Sequence, residues 1–354
     1  MACSMTLATF LGDQLQHGRF AYPSRSHLSL NNTYANVNFT LHPPVKLSPR
    51  QVASMHLLQV RDAETFSLVE RFDDEVPEYA ILSHTWGHSD DEVTYQDLQN
   101  HTAEGKEGYN KLMFCGKQAM RDGLRYFWVD TCCVDKQSSA ELSEAINSMF
   151  EWYKRASKCY VYLSDVRLEN YSSIDNCSDN QDQWKGAFKN SRWFTRRWTL
   201  QELLAPRCLE FFSADRKLLG NKKDLVKEIV EITRIPPEIL RNERPISDCG
   251  VKERMDWACD RKAKRDEDEA YSLLGIFGVH MPLIYGEGSM QAFKRLHRTI
   301  RENKEDDSEH SHESSMGPFR RGATRYTVHD GTQYNNTGSG IQLSGSFTGP
   351  INFR

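Results

Sequence analysis

Three polar segments stand where apolar runs end, and their side chains can bind or activate a ligand. They are Ser83-His84-Thr85-Trp86-Gly87, Asp130-Thr131-Cys132-Cys133-Val134-Asp135-Lys136, and Ser164-Asp165. A fourth segment, Ser191 to Leu204, sets Trp198 and Glu202 four residues apart. In a helix that spacing puts the indole and the carboxylate on one face, opposite Leu200, Leu203 and Leu204. A carboxylate beside an aromatic wall is a site if a cavity covers it and a solvated side chain if nothing does; spacing allows both. Ser and Asp in the first three segments also suit helix caps and turns. Cys132 or Cys133 could serve as a thiolate nucleophile with His84 as its base, although nothing in the sequence fixes their distance. No HExxH, paired CxxC or Gly-x-Ser-x-Gly motif occurs, and Gly116-Lys117-Gln118 lacks the rest of a phosphate loop. No metal site and no bound cofactor are therefore expected.

The elements that must position these residues are legible as patterns. Tyr79–Leu82, Tyr126–Val129, Tyr160–Leu163 and Leu209–Phe212 are short apolar runs that read as buried strands. Between the second and third, Leu142, Ile146, Met149, Phe150 and Tyr153 recur at helical spacing, and Ser138-x-x-Glu141 reads as a capping box. Strand, helix, strand at this length is a βαβ unit, which predicts a parallel sheet flanked by helices. Ligands of such sheets bind beyond the carboxyl ends of the strands, where the polar segments lie. Further helices are expected over Leu112–Leu124, Trp198–Ala205, Glu267–Phe277 and Ser289–Arg301.

Apolar types make up 38% of 354 residues, enough for one large core or two modest ones. Dense apolar patterning runs from about residue 55 to 301. Residues 1–54 read as a polar extension, 302–330 as a linker with an acidic start, and 331–354 as an Asn/Gly-rich β-prone tail. A net charge of -4 argues against a nucleic-acid protein that relies on a basic face. Nine scattered cysteines without a CxxC pair suit reduced thiols in the cytosol better than a disulfide framework. Residues 5–11 are too short an apolar run for a signal peptide or membrane span, so a cytoplasmic location is expected.

Several blocks together resemble the fungal heterokaryon-incompatibility (HET) domain. They are Tyr79 to Gly87, Phe127 to Lys136, Trp193 to Pro206, Arg254 to Ala258 with Asp268 to Phe277, and Pro282 to Gly288. HET domains are in turn similar to TIR domains, which implies an α/β, flavodoxin-like parallel sheet with additional C-terminal helices. The resemblance implies a cell-death effector that hydrolyses NAD+ to nicotinamide and ADP-ribose, or a cyclic form, once oligomerised. Trp198-Thr199-Leu200-Gln201-Glu202-Leu203 fits the TIR setting of the catalytic glutamate, which makes Glu202 the expected catalytic residue. Ser83, His84, Trp86, Asp130, Cys133, Asp135, Lys136, Ser164 and Trp198 are the expected substrate-binding residues. A non-catalytic death adaptor acting through homotypic contacts is the alternative, and a cysteine hydrolase a weaker one. Gly340-Ile341-Gln342-Leu343-Ser344-Gly345 resembles the core of amyloid signalling motifs. That implies self-association through Ile341, Gln342 and Leu343, and a NOD-like receptor as partner.

Overall fold

The computed structural model describes residues 54–62, 65–72, 75–168, 180–313, 326–327 and 333–334. The chain divides into two units, 1–299 and 300–354. The first is built on one seven-stranded sheet: β1 (Ser54–Val60), β2 (Phe66–Phe72), β3 (Ala80–His84), β4 (Tyr126–Trp128), β5 (Lys158–Leu163), β6 (Leu209–Ser213) and β7 (Leu218–Asn221). Their order is β2-β1-β4-β3-β5-β6-β7. The four central strands, β4-β3-β5-β6, are parallel, and the outer pairings are antiparallel. Counted from β3, the parallel strands stand second, first, third, fourth, the start of the flavodoxin-like order 2-1-3-4-5.

The expectation of a parallel sheet therefore holds for the centre and fails at both margins. β1 and β2 form an antiparallel hairpin, where Asp62 accepts from the Thr65 amide at 2.9 Å and the Thr65 hydroxyl at 2.7 Å. Every residue of β3 is buried, as a central strand covered on both faces requires.

The helices are α1 (Tyr95–Gln99), α2 (Tyr109–Arg121), α3 (Ser139–Arg155), α4 (Asn180–Lys189), α5 (Thr199–Leu204), α6 (Val226–Thr233), α7 (Pro237–Leu240), α8 (Val251–Asp256), α9 (Asp268–Tyr271), α10 (Leu274–Phe277) and α11 (Ser289–Glu313). Helix α3 starts where the sequence pattern puts it, and the Ser138 hydroxyl accepts from the Glu141 amide at 3.3 Å. The reciprocal half of the expected capping box is absent: the Glu141 carboxylate accepts from the Asp135 amide instead, at 2.9 Å. The single helix expected over Glu267–Phe277 is two short ones, and α11 runs on to Glu313, into the segment read as a linker. Residues 1–53 and the tail positions Ile341, Gln342 and Leu343 lie outside the described residues. In the second unit, Tyr326–Thr327 pairs antiparallel with Gln333–Tyr334.

Gly275 lets α10 lie directly on α3. A Cβ at this position would stand 2.0 Å from the Phe150 Cβ and 2.5 Å from its Cγ, atoms that cannot swing aside as a flexible chain end would. Gly275→Ala is expected to cost about 1–3 kcal/mol through overpacking, or roughly 2–4 °C of melting temperature per kcal/mol. Thermal unfolding of the two proteins side by side checks this.

Candidate functional site

Helix α5 carries Glu202, and neighbouring elements fix it from three sides. After β5, Asp165 accepts from the Ser191 hydroxyl at 2.7 Å and the Arg192 amide at 2.8 Å, anchoring the turn ahead of the helix. The Arg197 amide then donates to the Lys262 carbonyl at 2.9 Å, and the Lys262 amide donates to the Thr195 carbonyl at 2.7 Å. These bonds tie a later segment to the α5 entrance. At the other end, the Lys222 ammonium donates to the carbonyls of Leu203 and Pro206, a buried cation at the negative end of the helix. Helical spacing left open whether the face opposite the leucines is covered or solvated. All of Thr199–Leu204 is buried, because a second layer covers the face opposite Leu200, Leu203 and Leu204.

Glu202 is 7% exposed. Its Oε2 accepts from the Ser83 hydroxyl at 2.5 Å, and the Ser83 Oγ in turn accepts from the Trp193 indole at 2.8 Å. Burial, and then the charge of Asp130, push the Glu202 carboxyl up to about 8; the Ser83 hydrogen bond and the Arg196 charge act the other way. This shift favours the protonated carboxyl near neutral pH.

The first wall of the site follows β3 and β4. The Trp86 indole donates to Asp130 Oδ2 at 2.9 Å. His84 lies between two carboxylates, with Nδ1 3.8 Å from Asp130 and Nε2 3.6 Å from Glu92. Glu92, which the sequence did not single out, also accepts from the Gly87 amide at 2.6 Å and from Lys111 at 2.5 Å. Burial disfavours its charge, yet His84 and Lys111 hold the carboxyl well below the usual range. Glu92 therefore clamps the turn that presents Trp86.

The second wall comes from the later part of the chain. Asp268 accepts from the Trp198 indole at 3.2 Å and from the Tyr285 hydroxyl at 2.9 Å, and burial raises its carboxyl. Glu267 accepts from the amides of Gly286 and Gly288, at 2.8 and 2.9 Å, and holds the Tyr285 loop in place. Between the walls lies a cavity of about 450 Å³ with Glu202 among its lining groups. Leu142, Ala145, Ile146 and Met149 of α3 form its apolar side. That is the size and character of a small-molecule site: largely apolar, with a few convergent polar groups.

Of the expected site residues, His84, Trp86, Asp130, Lys136, Trp198 and Glu202 share the cavity lining. Ser83 stands behind Glu202 as its hydrogen-bond donor. Three others are placed elsewhere. Cys133 is buried, with its sulfur accepting from the Val129 amide at 3.4 Å. Asp135 accepts from the Gln137 amide and the Gln96 side chain, serving as a turn cap. Ser164 faces the Thr85 hydroxyl at 3.3 Å. Asp268 and Tyr285 belong to blocks the sequence marked without reading them as a site. Among the described residues no cluster of side chains could hold a metal ion, and no helix is long and apolar enough to cross a membrane.

Cys132 is fully buried, and burial, followed by its contact with Cys133, pushes the thiol well up. A thiolate nucleophile needs the opposite shift. Replacing Cys132 and Cys133 together with Ser should lower the melting temperature, and any turnover by the folded protein should not depend on either thiol. Loss of turnover at an unchanged melting temperature would revive the cysteine reading.

Fold and site together define an α/β domain with a carboxyl-bearing cavity at the carboxyl edge of its parallel strands. Residues 79–176 match the family model described as heterokaryon incompatibility protein (HET). Over 226 residues the chain is 53% identical to vegetative incompatibility protein HET-E-1 of Podospora anserina, which covers 64% of this chain and 16% of that protein. Residues 326–354 match the model described as sigma domain on NACHT-NTPases. No solved structure matches the chain. The resemblance carried by the Tyr79 and Phe127 blocks is thus borne out, whereas Glu202 lies beyond the end of the family-model match.

Proposed function

We propose that this chain is a heterokaryon-incompatibility effector of cell death, that its cavity hydrolyses NAD+, and that Glu202 is the catalytic residue. The observation that carries the chemical part is a buried carboxyl, raised in affinity for its proton, set in the lining of a cavity beside aromatic and cationic groups. In the reaction the bond between the ribose C1′ and the nicotinamide nitrogen breaks, and its electron pair leaves with neutral nicotinamide. The ribosyl centre becomes oxocarbenium-like. An ionised Glu202 would stabilise that charge, as carboxylates do in glycoside cleavage. Water then adds to C1′ and releases a proton, giving ADP-ribose. The positive nicotinamide ring of a bound substrate would favour the ionised form of this carboxyl, which burial otherwise raises to about 8. Ser83, itself fixed by Trp193, aims the carboxyl.

The cell-death role rests on the likeness to the vegetative incompatibility protein and the family match. The sigma-domain match supports a NACHT-type NTPase as the partner of the tail; on this reading self-association brings the copies together. Incubating concentrated protein with NAD+ and measuring nicotinamide tests the chemistry. Release by the parent and not by Glu202→Gln supports the reading. Toxicity in cells without any turnover would leave the protein a non-catalytic adaptor.

A further inference from the structure

Five cations converge on the cavity: Lys136, Arg196, Lys262, Lys264 and Arg265 line it together. They come from both walls. The bonds between Thr195, Arg197 and the Lys262 backbone bring Arg196 and the 262–265 segment side by side. Three of the charges crowd one indole, with Lys136 at 3.9 Å, Lys264 at 5.4 Å and Arg196 at 5.5 Å from the Trp86 ring centre. Arg265 lies over the Tyr285 ring at 4.3 Å. Among the described residues none of the five is ion-paired to a carboxylate. The acids of the cavity are engaged otherwise: Asp130 by Trp86, Asp268 by Trp198 and Tyr285, and Glu202 by Ser83.

Like charges gathered at one opening repel each other, and ring contacts offset only part of that cost. A polyanionic ligand removes the repulsion and gains charge-assisted hydrogen bonds, and a cleft lined by one sign of charge concentrates such ligands. A cavity of about 450 Å³ suits a nucleotide rather than a nucleic-acid strand. Lys262, Lys264 and Arg265 are exposed, whereas Glu202 is buried, so the charge sits at the mouth and the acid deeper in.

We infer that these five residues form a diphosphate subsite, which selects a dinucleotide or nucleoside diphosphate over a free nucleoside. The inference rests on the proposed reading of Glu202, and it adds the part of the substrate that the mouth of the cavity grips. Lys262, Lys264 and Arg265 come from beyond the family-model match, so this chain supplies the subsite from its own later segment.

The test compares two substrates and one ligand. NAD+ carries the diphosphate and nicotinamide riboside does not, while both present the same bond to Glu202. Lys262→Glu with Lys264→Glu should lower the ratio of kcat/KM for NAD+ to that for the riboside by about 100-fold, roughly tenfold per charge. Lys262→Gln with Lys264→Gln should lower it less, in the same direction. Calorimetric titration of Glu202→Gln with inorganic pyrophosphate should show binding that weakens at least tenfold when the two Glu substitutions are added. An unchanged substrate ratio, or pyrophosphate binding equally to both proteins, overturns the subsite. If the parent cleaves neither substrate, the reading of Glu202 fails, and pyrophosphate decides the subsite alone. Binding lost on charge reversal then upholds it, and no binding to the parent overturns it.

Discussion

Glu202→Gln should release nicotinamide from NAD+ at least about 10²–10³-fold more slowly than the parent and should melt at a higher temperature above pH 8. The first effect follows from removing the charge that faces the ribosyl centre in the transition state. The second follows from linkage. The Glu202 carboxyl is raised to about 8 in the fold, well above the ordinary carboxylate value of 4.5. Between those two values the folded protein binds more protons at this site than the unfolded chain, so stability falls as pH rises through that window. Above it the buried carboxylate is charged, and the whole penalty is present. Gln keeps the shape and never carries the charge, so its advantage should be small near pH 5, grow towards pH 8 and then level off. Thermal unfolding at pH 5 and pH 8.5, with nicotinamide assays on the same samples, checks both halves. Equal turnover in the two proteins would remove Glu202 from the chemistry.

Replacing Ile341 and Leu343 with Asp should abolish clustering and cell-death signalling while the 54–299 fold keeps its melting temperature. Charges repeated in register along a stack of copies repel at every layer, which cross-β assembly does not tolerate. The segment falls within the sigma-domain match, and under the proposed assembly role its tethering would raise the local concentration of the domains. Fluorescence microscopy of tagged protein in cells, with viability as a second readout, measures the effect. A double-Asp variant that clusters and kills like the parent would leave the tail without an assembly role.

The sequence revealed the parts of this fold that local pattern controls. The runs from Tyr79, Tyr126 and Tyr160, and that from Leu209 broken only by Glu210, are strands because near-continuous apolar residues suit a sheet covered on both faces, and all four are central. The margins left weaker marks. In β1 the buried residues include the neighbours Leu57 and Leu58, which breaks strict alternation, and β2 has no fully buried residue. Trp198 and Glu202 were placed on one face by helical spacing, but only the later chain decided that this face meets a cavity. The wall that covers it depends on Arg197 bonding to Lys262 and on Tyr285 reaching Asp268. Such contacts join distant stretches, and no local periodicity encodes them. Of the five clustered cations the sequence marked Lys136 alone as a binding residue, for the same reason: Lys262 to Arg265 is a short charged stretch like any solvated one.

The most direct test of the central claim, that a buried carboxyl at Glu202 performs the cleavage, is kcat/KM for nicotinamide release across pH 5 to 9.5. This quantity reports ionisations of the free enzyme. It should rise about tenfold per pH unit at low pH, bend near 8 and level off as Glu202 loses its proton, and the residual rate of Glu202→Gln should show no such bend. A parent profile that is flat through pH 8, or a protein that releases no nicotinamide at any pH, would contradict the claim.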